Sequence, residues 1–278
     1  MVKNALYYVL ALIITCLCAC SDGKTDNFNV GKDTVSLARI SLTDTVGYML
    51  SEKDSCKISA NVEITYPTLF VDKNRTEVLQ CIFAEKVLEV LADTLSLASA
   101  FPVYVEKLVG RYESVTIEEY QEEPDYEPVK NCVLNVKISA IYNGGGIVCF
   151  ERIETSRLDD SEPETRSDYY MVDLTQFKRI GVLDLFAEED LSHVEDMLKA
   201  CLRANAGVES DDDLVDLGYY NIDNMGVNNN FYIDAEGITW CYPPRELSVL
   251  EEVKISLDYD MLRDFIKEKS VISQFIEK

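Results

Sequence analysis

Residues 132–150, CVLNVKISAIYNGGGIVCF, decide the fold class. Cys132, Leu134, Val136, Ile138, Ala140 and Tyr142 recur at every second position, the period of a strand with one buried face. Asn143 and three glycines follow, and Ile147, Cys149 and Ile153 then resume the alternation. Glycine accepts the positive φ of a tight strand reversal, so the stretch predicts a β-hairpin. The other reading of a glycine run is a phosphate cradle. That needs a following helix and a Gly-Lys-Ser/Thr ending, and this stretch has neither.

Working outward, the same period appears at Ile58, Ala60, Val62, Ile64 and Tyr66, in a strand over 56–66 ended by Pro67. A further strand is read over 34–42, TVSLARISL. Between these segments, Leu79, Ile82, Phe83, Val87, Val90 and Leu91 follow helical spacing over 76–97, with Asp72 or Asn74 as the cap. Pro102 opens a second helix through Tyr120, and QEEPDYEP (121–128) breaks the chain. Downstream, residues 155–167 are charged, contain Pro163 and read as an exposed loop. Tyr169–Leu174 reads as a strand. Gln176–Phe186 leads into a helix over Glu189–Ala204, with Leu191, Val194, Met197, Leu198 and Cys201 on one stripe.

The asparagine-rich segment 221–230 reads as loop. Residues 230–242 form a hairpin closed at Gly237, with the lone Trp240 in the core. Val253, Ile255, Leu257 and Tyr259 alternate as a strand, and Met261–Lys269 reads as a helix. Strands and helices mix without a regular β-α-β rhythm. The expected fold class is therefore α+β, antiparallel sheets with packed helices, in two intertwined subdomains over 33–155 and 156–278.

At the N-terminus, Ala5–Ala19 runs fifteen residues without a charge. A membrane-spanning helix needs about 20, so this is the length of a signal-peptide core. Leu17, Ala19 and Cys20 stand at positions −3, −1 and +1 of a sequence that resembles the bacterial lipobox. Cys16 and Cys18 do not fit as acceptors, because Thr15 or Leu17 would precede the cut. Cleavage would remove 1–19 as a lipoprotein signal peptide, lipidate Cys20 and leave 20–32 as a polar tether. The membrane is then met through the lipid on Cys20, and several acyl chains anchor stably where one is marginal. Ser21 after the acceptor points to outer-membrane sorting by analogy with the enteric rule. The expected location is the bacterial cell envelope, lipid-anchored, at the outer membrane. An ordinary secretory signal with a coincidental cysteine is the plainer alternative.

Twenty-six Lys and Arg against fifty Asp and Glu give a formal net charge of −24. Such a surface repels phosphate backbones, which excludes nucleic acid as a partner. A cationic partner is allowed, and a plainly solvated acidic surface explains the charge equally well. The single histidine, His193, lies off its helix stripe and reads as exposed. One histidine also removes multi-His metal sites. ESDDDLVD (209–216) lacks EF-hand spacing, so calcium stays open there without support, and no metal ligand and no cofactor is assigned. Cys56, Cys81, Cys132, Cys149, Cys201 and Cys241 show no Cys-x-x-Cys spacing. They read as mostly buried free thiols in preference to a disulfide framework, because a body this size does not need staples.

The order of segments resembles an envelope domain of unknown function. That domain is found as the outer part of RsiV-type, lysozyme-sensing anti-sigma factors and beside polysaccharide deacetylase domains. The resembling pieces are Ile64-Thr-Tyr-Pro67, Ile141–Phe150, Tyr170–Ile180 with Leu183-Asp-Leu-Phe186, Phe231–Gly237 and Tyr242–Leu262. The resemblance implies a binding or sensing module. Two places depart from the family pattern: residues 154–168 contain neither glycine nor histidine where a Gly-Gly-Ala-His-Gly type loop is usual, and Leu250-Glu251-Glu252 replaces a usual glycine. Only four residues precede the apolar run, so the anti-sigma role itself is not implied.

The functional expectation is a non-catalytic, lipid-anchored envelope module that contacts a cationic protein such as lysozyme, or peptidoglycan. The candidate contacts are Asp159 and Asp160 in the charged loop and Tyr242-Pro243-Pro244-Arg245, because recognition concentrates in loops. One alternative is an envelope glycan hydrolase with paired carboxylates, drawn from Glu151, Glu154, Asp159 and Asp160. It lacks Gly-x-Ser-x-Gly, His-Glu-x-x-His, Ser-x-x-Lys and Cys-His signatures. Another is a structural or assembly lipoprotein.

Overall fold

The computed structural model describes residues 33–276 except 52, 92–95, 123–127 and 250. The expected signal peptide 1–19, the expected tether 20–32 with Cys20, most of the 121–128 breaker and Leu250 lie outside the described residues. The elements are β1 (Ser36–Met49), β2 (Ser55–Leu69), α1 (Lys73–Ile82), α2 (Leu97–Glu122), β3 (Asn131–Gly144), β4 (Ile147–Leu158), β5 (Glu164–Asp173) and β6 (Lys178–Arg179). They are followed by α3 (Val182–Leu185), α4 (Leu191–Ala206), α5 (Asp211–Asp216), β7 (Phe231–Ile233), β8 (Gly237–Tyr242), β9 (Val253–Asp258) and α6 (Tyr259–Leu262). The class is α+β.

Six strands form one sheet in the order β1-β2-β3-β4-β5-β6, and β7-β8-β9 form a second. The β3–β4 hairpin turns on Gly145 (φ 55°) and Gly146 (φ 73°), the positive pair that glycine supplies without strain. One pairing departs from the expected antiparallel sheets. β2 and β3 run parallel, joined by a crossover that carries α1 and α2. A parallel neighbour requires such a crossover, because a short turn only returns the chain antiparallel.

Two cores share the larger sheet. Val148, Phe150, Tyr170 and Val172 face α1 and α2 in one core. Ile147, Cys149 and Met171 join the other, with Trp240, Leu198 and Ile255. Strands buried on both faces read as continuous apolar runs, and this is why 147–150 is apolar at every position. Residues 155 and 156, where the sequence reading divides the chain, are consecutive within β4.

Several elements differ in extent from expectation. β2 continues through Pro67 to Leu69, because Pro67 sits at a register shift opposite Leu37, where a missing N–H is tolerated. The single helix read over 76–97 is broken. α1 is capped by Asp72 and ends at Ile82, and a π-helical turn over Phe83–Val87 follows. The wider turn puts Phe83, Ala84, Val87 and Leu88 all in the core, with Phe83 edge-on to Phe150 at 4.9 Å. Glu89 then leaves the helix at φ 55°. α2 begins five residues before Pro102, at Leu97, because Leu97, Ala100 and Phe101 are already buried. Pro102 therefore lies inside the helix, past its first turn, where it supplies no intrahelical N–H.

The exposed loop read over 155–167 is instead mostly ladder. Ser156 pairs with Glu164 and Thr155 with Thr165, so β4 and β5 extend past the body as a polar hairpin. Only 159–163 lie between the strands. The helix read over 261–269 is a single turn, because Lys267 N–H donates to the Leu185 carbonyl (2.8 Å) and Ile266 bridges Phe186.

Candidate functional site

The strand registers define two ends of the larger sheet. Asp33 and Val35 enter at one end, where Gly146 N–H donates to Asp33 O (3.3 Å) and Asn143 brackets Val35 with two bonds. Gln274 also reaches that end, donating to Gly145 O at 2.6 Å. The β1–β2 turn, the start of β3 and the β4–β5 tip lie together at the opposite end. β1 has 14 residues, so the two ends stand roughly 45 Å apart.

The far end unites the two segments singled out in the sequence. Arg245, at φ 72°, pairs its Nη2 with Glu164 Oε1 at 2.6 Å, which joins the 243–248 turn to the base of the β4–β5 tip. Pro243 and Pro244 are half-buried beside it, and Asp160 and Glu162 are exposed. Asp159 is engaged within the protein. Its carboxylate accepts from the backbone N–H of Lys130 (3.0 Å) and Asn131 (2.8 Å) and so ties the tip to β3. Tyr242 is fully buried and donates its hydroxyl to Gly226 O (3.0 Å), which leaves it no surface for a partner.

The carboxylates considered for hydrolysis do not converge. Glu151 accepts from Tyr169 OH (3.0 Å) on the β7–β9 side of the sheet. Glu154 accepts from Arg111 Nη2 (2.7 Å) and Tyr112 OH (2.9 Å) on the α2 side. Residues of opposite parity on one strand point to opposite faces.

Two polar clusters flank β4 and β5. On the β7–β9 side, Lys254 Nζ contacts Tyr169 OH (2.7 Å) and Glu252 Oε2 (3.0 Å). Burial and the nearby Glu252 push the Cys241 thiol up to about 12. On the α2 side, buried Arg152 holds Asp168 (2.8 Å) and Glu89 (3.2 Å), and its guanidinium lies 5.2 Å from the Tyr170 ring centre. Arg179 lies 4.9 Å from the same ring. Sequence reasoning missed this second cluster. Its signal was a charged residue at 152, in phase with the apolar positions 148 and 150.

The asparagine-rich segment is a clasp. Asn230 Oδ1 accepts from Tyr169 N–H (3.0 Å), and its Nδ2 donates to Ser167 O (3.1 Å) and Cys241 O (3.2 Å), joining β5 to β8. Asn229 Oδ1 accepts from Val182 N–H (2.9 Å) at the start of α3.

Elsewhere, His193 is exposed and stacks on Phe265 at 5.4 Å. A shallow, open depression of about 460 Å³ borders α5, between Val208 and Leu217. Among the described residues, no group of His, Cys, Asp and Glu could hold a metal ion, and no helix is long and apolar enough to cross a membrane. Cys56, Cys132, Cys149 and Cys241 are buried free thiols, Cys201 is half-buried and Cys81 is exposed.

Neither a protein-family model nor a curated protein matches the sequence. Among solved structures, a member of the DUF3298 family from Bacteroides fragilis superposes with a TM-score of 0.71, covering 89% of this chain and 100% of its own, at 18% identity. A DUF3298 family protein from Pseudomonas aeruginosa superposes with a TM-score of 0.54, covering 85% and 96%, at 11% identity. At these identities the likeness is one of fold. The chain shares its fold with proteins assigned to a domain of unknown function.

Proposed function

We propose that the chain is a non-catalytic binding or sensing module of the bacterial cell envelope, anchored by a lipid on Cys20. Its partner is a cationic protein such as lysozyme, or peptidoglycan. The observation that carries the reading is the placement of the two ends. Residue 33, which follows the tether, enters at one end, and the β4–β5 tip meets the Arg245 turn at the other, roughly 45 Å away. A tethered module presents the end remote from its anchor. The net charge of −24 favours a cationic partner through long-range steering. The fold shared with DUF3298 proteins is compatible with this reading, and so is the resemblance to RsiV-type outer domains.

Two measurements test it. Cys20→Ala should move the protein from the membrane to the soluble fraction, and continued anchoring overturns the lipid assignment. The full-length chain, titrated with a c-type lysozyme in about 0.15 M salt, should bind more tightly than an equally acidic unrelated protein. It should lose affinity in the double variant Asp160→Ala, Arg245→Ala. Binding no better than the control rejects lysozyme and leaves isolated cell-wall sacculi as the decisive probe. Failure with both overturns the binding role.

A further inference from the structure

The Arg152 cluster contains two buried donors that lack a partner among the described residues, Arg152 Nε and Tyr104 OH. Arg152 is 8% exposed and Tyr104 5% exposed, so water at the surface does not serve them. Burial raises the pKa of the Tyr104 hydroxyl, and the Arg152 guanidinium opposes that rise. Buried donors are rarely left unpaired, and each one calls for an explanation.

The surroundings point to an anion. Arg179 is exposed, stacks on Tyr170 and pairs with no carboxylate among the described residues. Arg152 is matched by Asp168 and Glu89, which leaves Arg179 as the unpaired positive charge on the Tyr170 ring. The carboxylate that does reach Arg152 from the surface is loosely held. Glu89 contacts Arg152 Nη1 at 3.2 Å and Tyr170 OH at 3.4 Å, and its side chain is 55% exposed. Asp168, at 2.8 Å and 15% exposed, is the structural partner. Glu89 also sits at φ 55°, outside any helix, with its carbonyl held by Lys107 Nζ (2.5 Å). The backbone is fixed there while the carboxylate remains displaceable.

We propose that Arg152, Tyr170 and Arg179 receive the carboxylate of a small ligand, and that the Glu89 carboxylate holds that place in the free protein. An incoming carboxylate takes the Glu89 contacts and gains Arg179. Arginine's planar fork is suited to this kind of paired recognition. This site lies on the α2 side of the sheet, apart from the far-end surface, and does not depend on the function proposed above.

The test is calorimetric titration of the full-length chain with three probes. N-acetylmuramic acid carries a carboxylate on a sugar, D-alanyl-D-alanine carries one on a peptide end, and N-acetylglucosamine is the uncharged control. At least one carboxylate should bind saturably and the control should not; which one binds identifies the source. Arg179→Gln, an exposed change that spares the core, should weaken that binding at least fivefold. Glu89→Gln, which removes the competing charge, should strengthen it at least threefold. No saturable binding of either carboxylate to the wild type and to Glu89→Gln overturns the proposal, as does binding that Arg179→Gln leaves unchanged. Lysozyme binding should be unaffected by Arg179→Gln, so the two assignments fail separately.

Discussion

Replacing Asn230 with alanine should destabilise the protein far more than a loop position ordinarily does. The side chain makes three hydrogen bonds, to Tyr169 N–H, Ser167 O and Cys241 O. Cys241 O retains a bond from Asn228 Nδ2 at 3.2 Å, so two backbone groups lose their partner. Tyr169 and Ser167 are buried, which denies those groups free access to water. Each orphaned group costs about 1–3 kcal/mol, so the loss should be about 2–6 kcal/mol. For a body of this size that lowers Tm by roughly 4–24 °C. Circular dichroism melts give the shift, and hydrogen exchange at the Tyr169 amide should lose protection. Asn224→Ala is the control, an exposed asparagine bonded only to Asn221. Asn230→Asp keeps the acceptor for Tyr169 but turns a negative charge towards two carbonyl oxygens. Its folded pKa should be raised, so its cost should be full at neutral pH and relieved as pH falls through that raised value. A melt of Asn230→Ala within 1 °C of wild type, with unchanged exchange at Tyr169, would refute the clasp.

Asp168→Asn leaves Arg152 buried with only the loose Glu89 contact, so urea unfolding should show a loss of about 2–4 kcal/mol. Gly237→Ala places a Cβ 2.3 Å from the Leu257 carbonyl oxygen, which forces β8 and β9 apart. The expected cost is about 2 kcal/mol or more, read as a lower urea midpoint. Hydrogen bonds from Ser51 and Tyr120 hold the Asp54 carboxyl below its usual 3.8. A depressed folded pKa contributes stability above the usual value that is lost as pH falls below it. Asp54→Asn should therefore flatten the decline in Tm between about pH 5 and 3, and an unaltered slope would remove Asp54 from the acid response. Among the described cysteines, Cys81 should alkylate in the native protein at pH 8, whereas Cys132, pushed up to about 11 by burial, and Cys149 should react only on unfolding. Peptide mapping of labelled protein distinguishes the two classes.

The hairpin at 132–150 was legible because its information is local. An alternating face and a glycine pair specify strand, turn, strand whatever lies around them. The same holds for the Asp72 cap, the buried Trp240 and the exposed His193. The polar ladder beyond residue 155 was illegible because hydrophobic periodicity marks burial, and a strand that projects into water has little of it. The parallel β2–β3 pair was hidden for another reason. Nothing within either strand records whether the chain returned by a turn or by a helical crossover.

The sequence by itself therefore determined the α+β class, most element positions and the acidic composition. Each of these follows from composition or from neighbours a few residues apart. Only the tertiary structure decided that Arg245 meets Glu164, that Asn230 bonds Tyr169 and Ser167, and that Glu89 reaches Arg152. Those partners lie roughly sixty to eighty residues apart along the chain. Hydrogen bonds and ion pairs act over a few ångströms, and no local pattern records which distant residues folding will bring within that range.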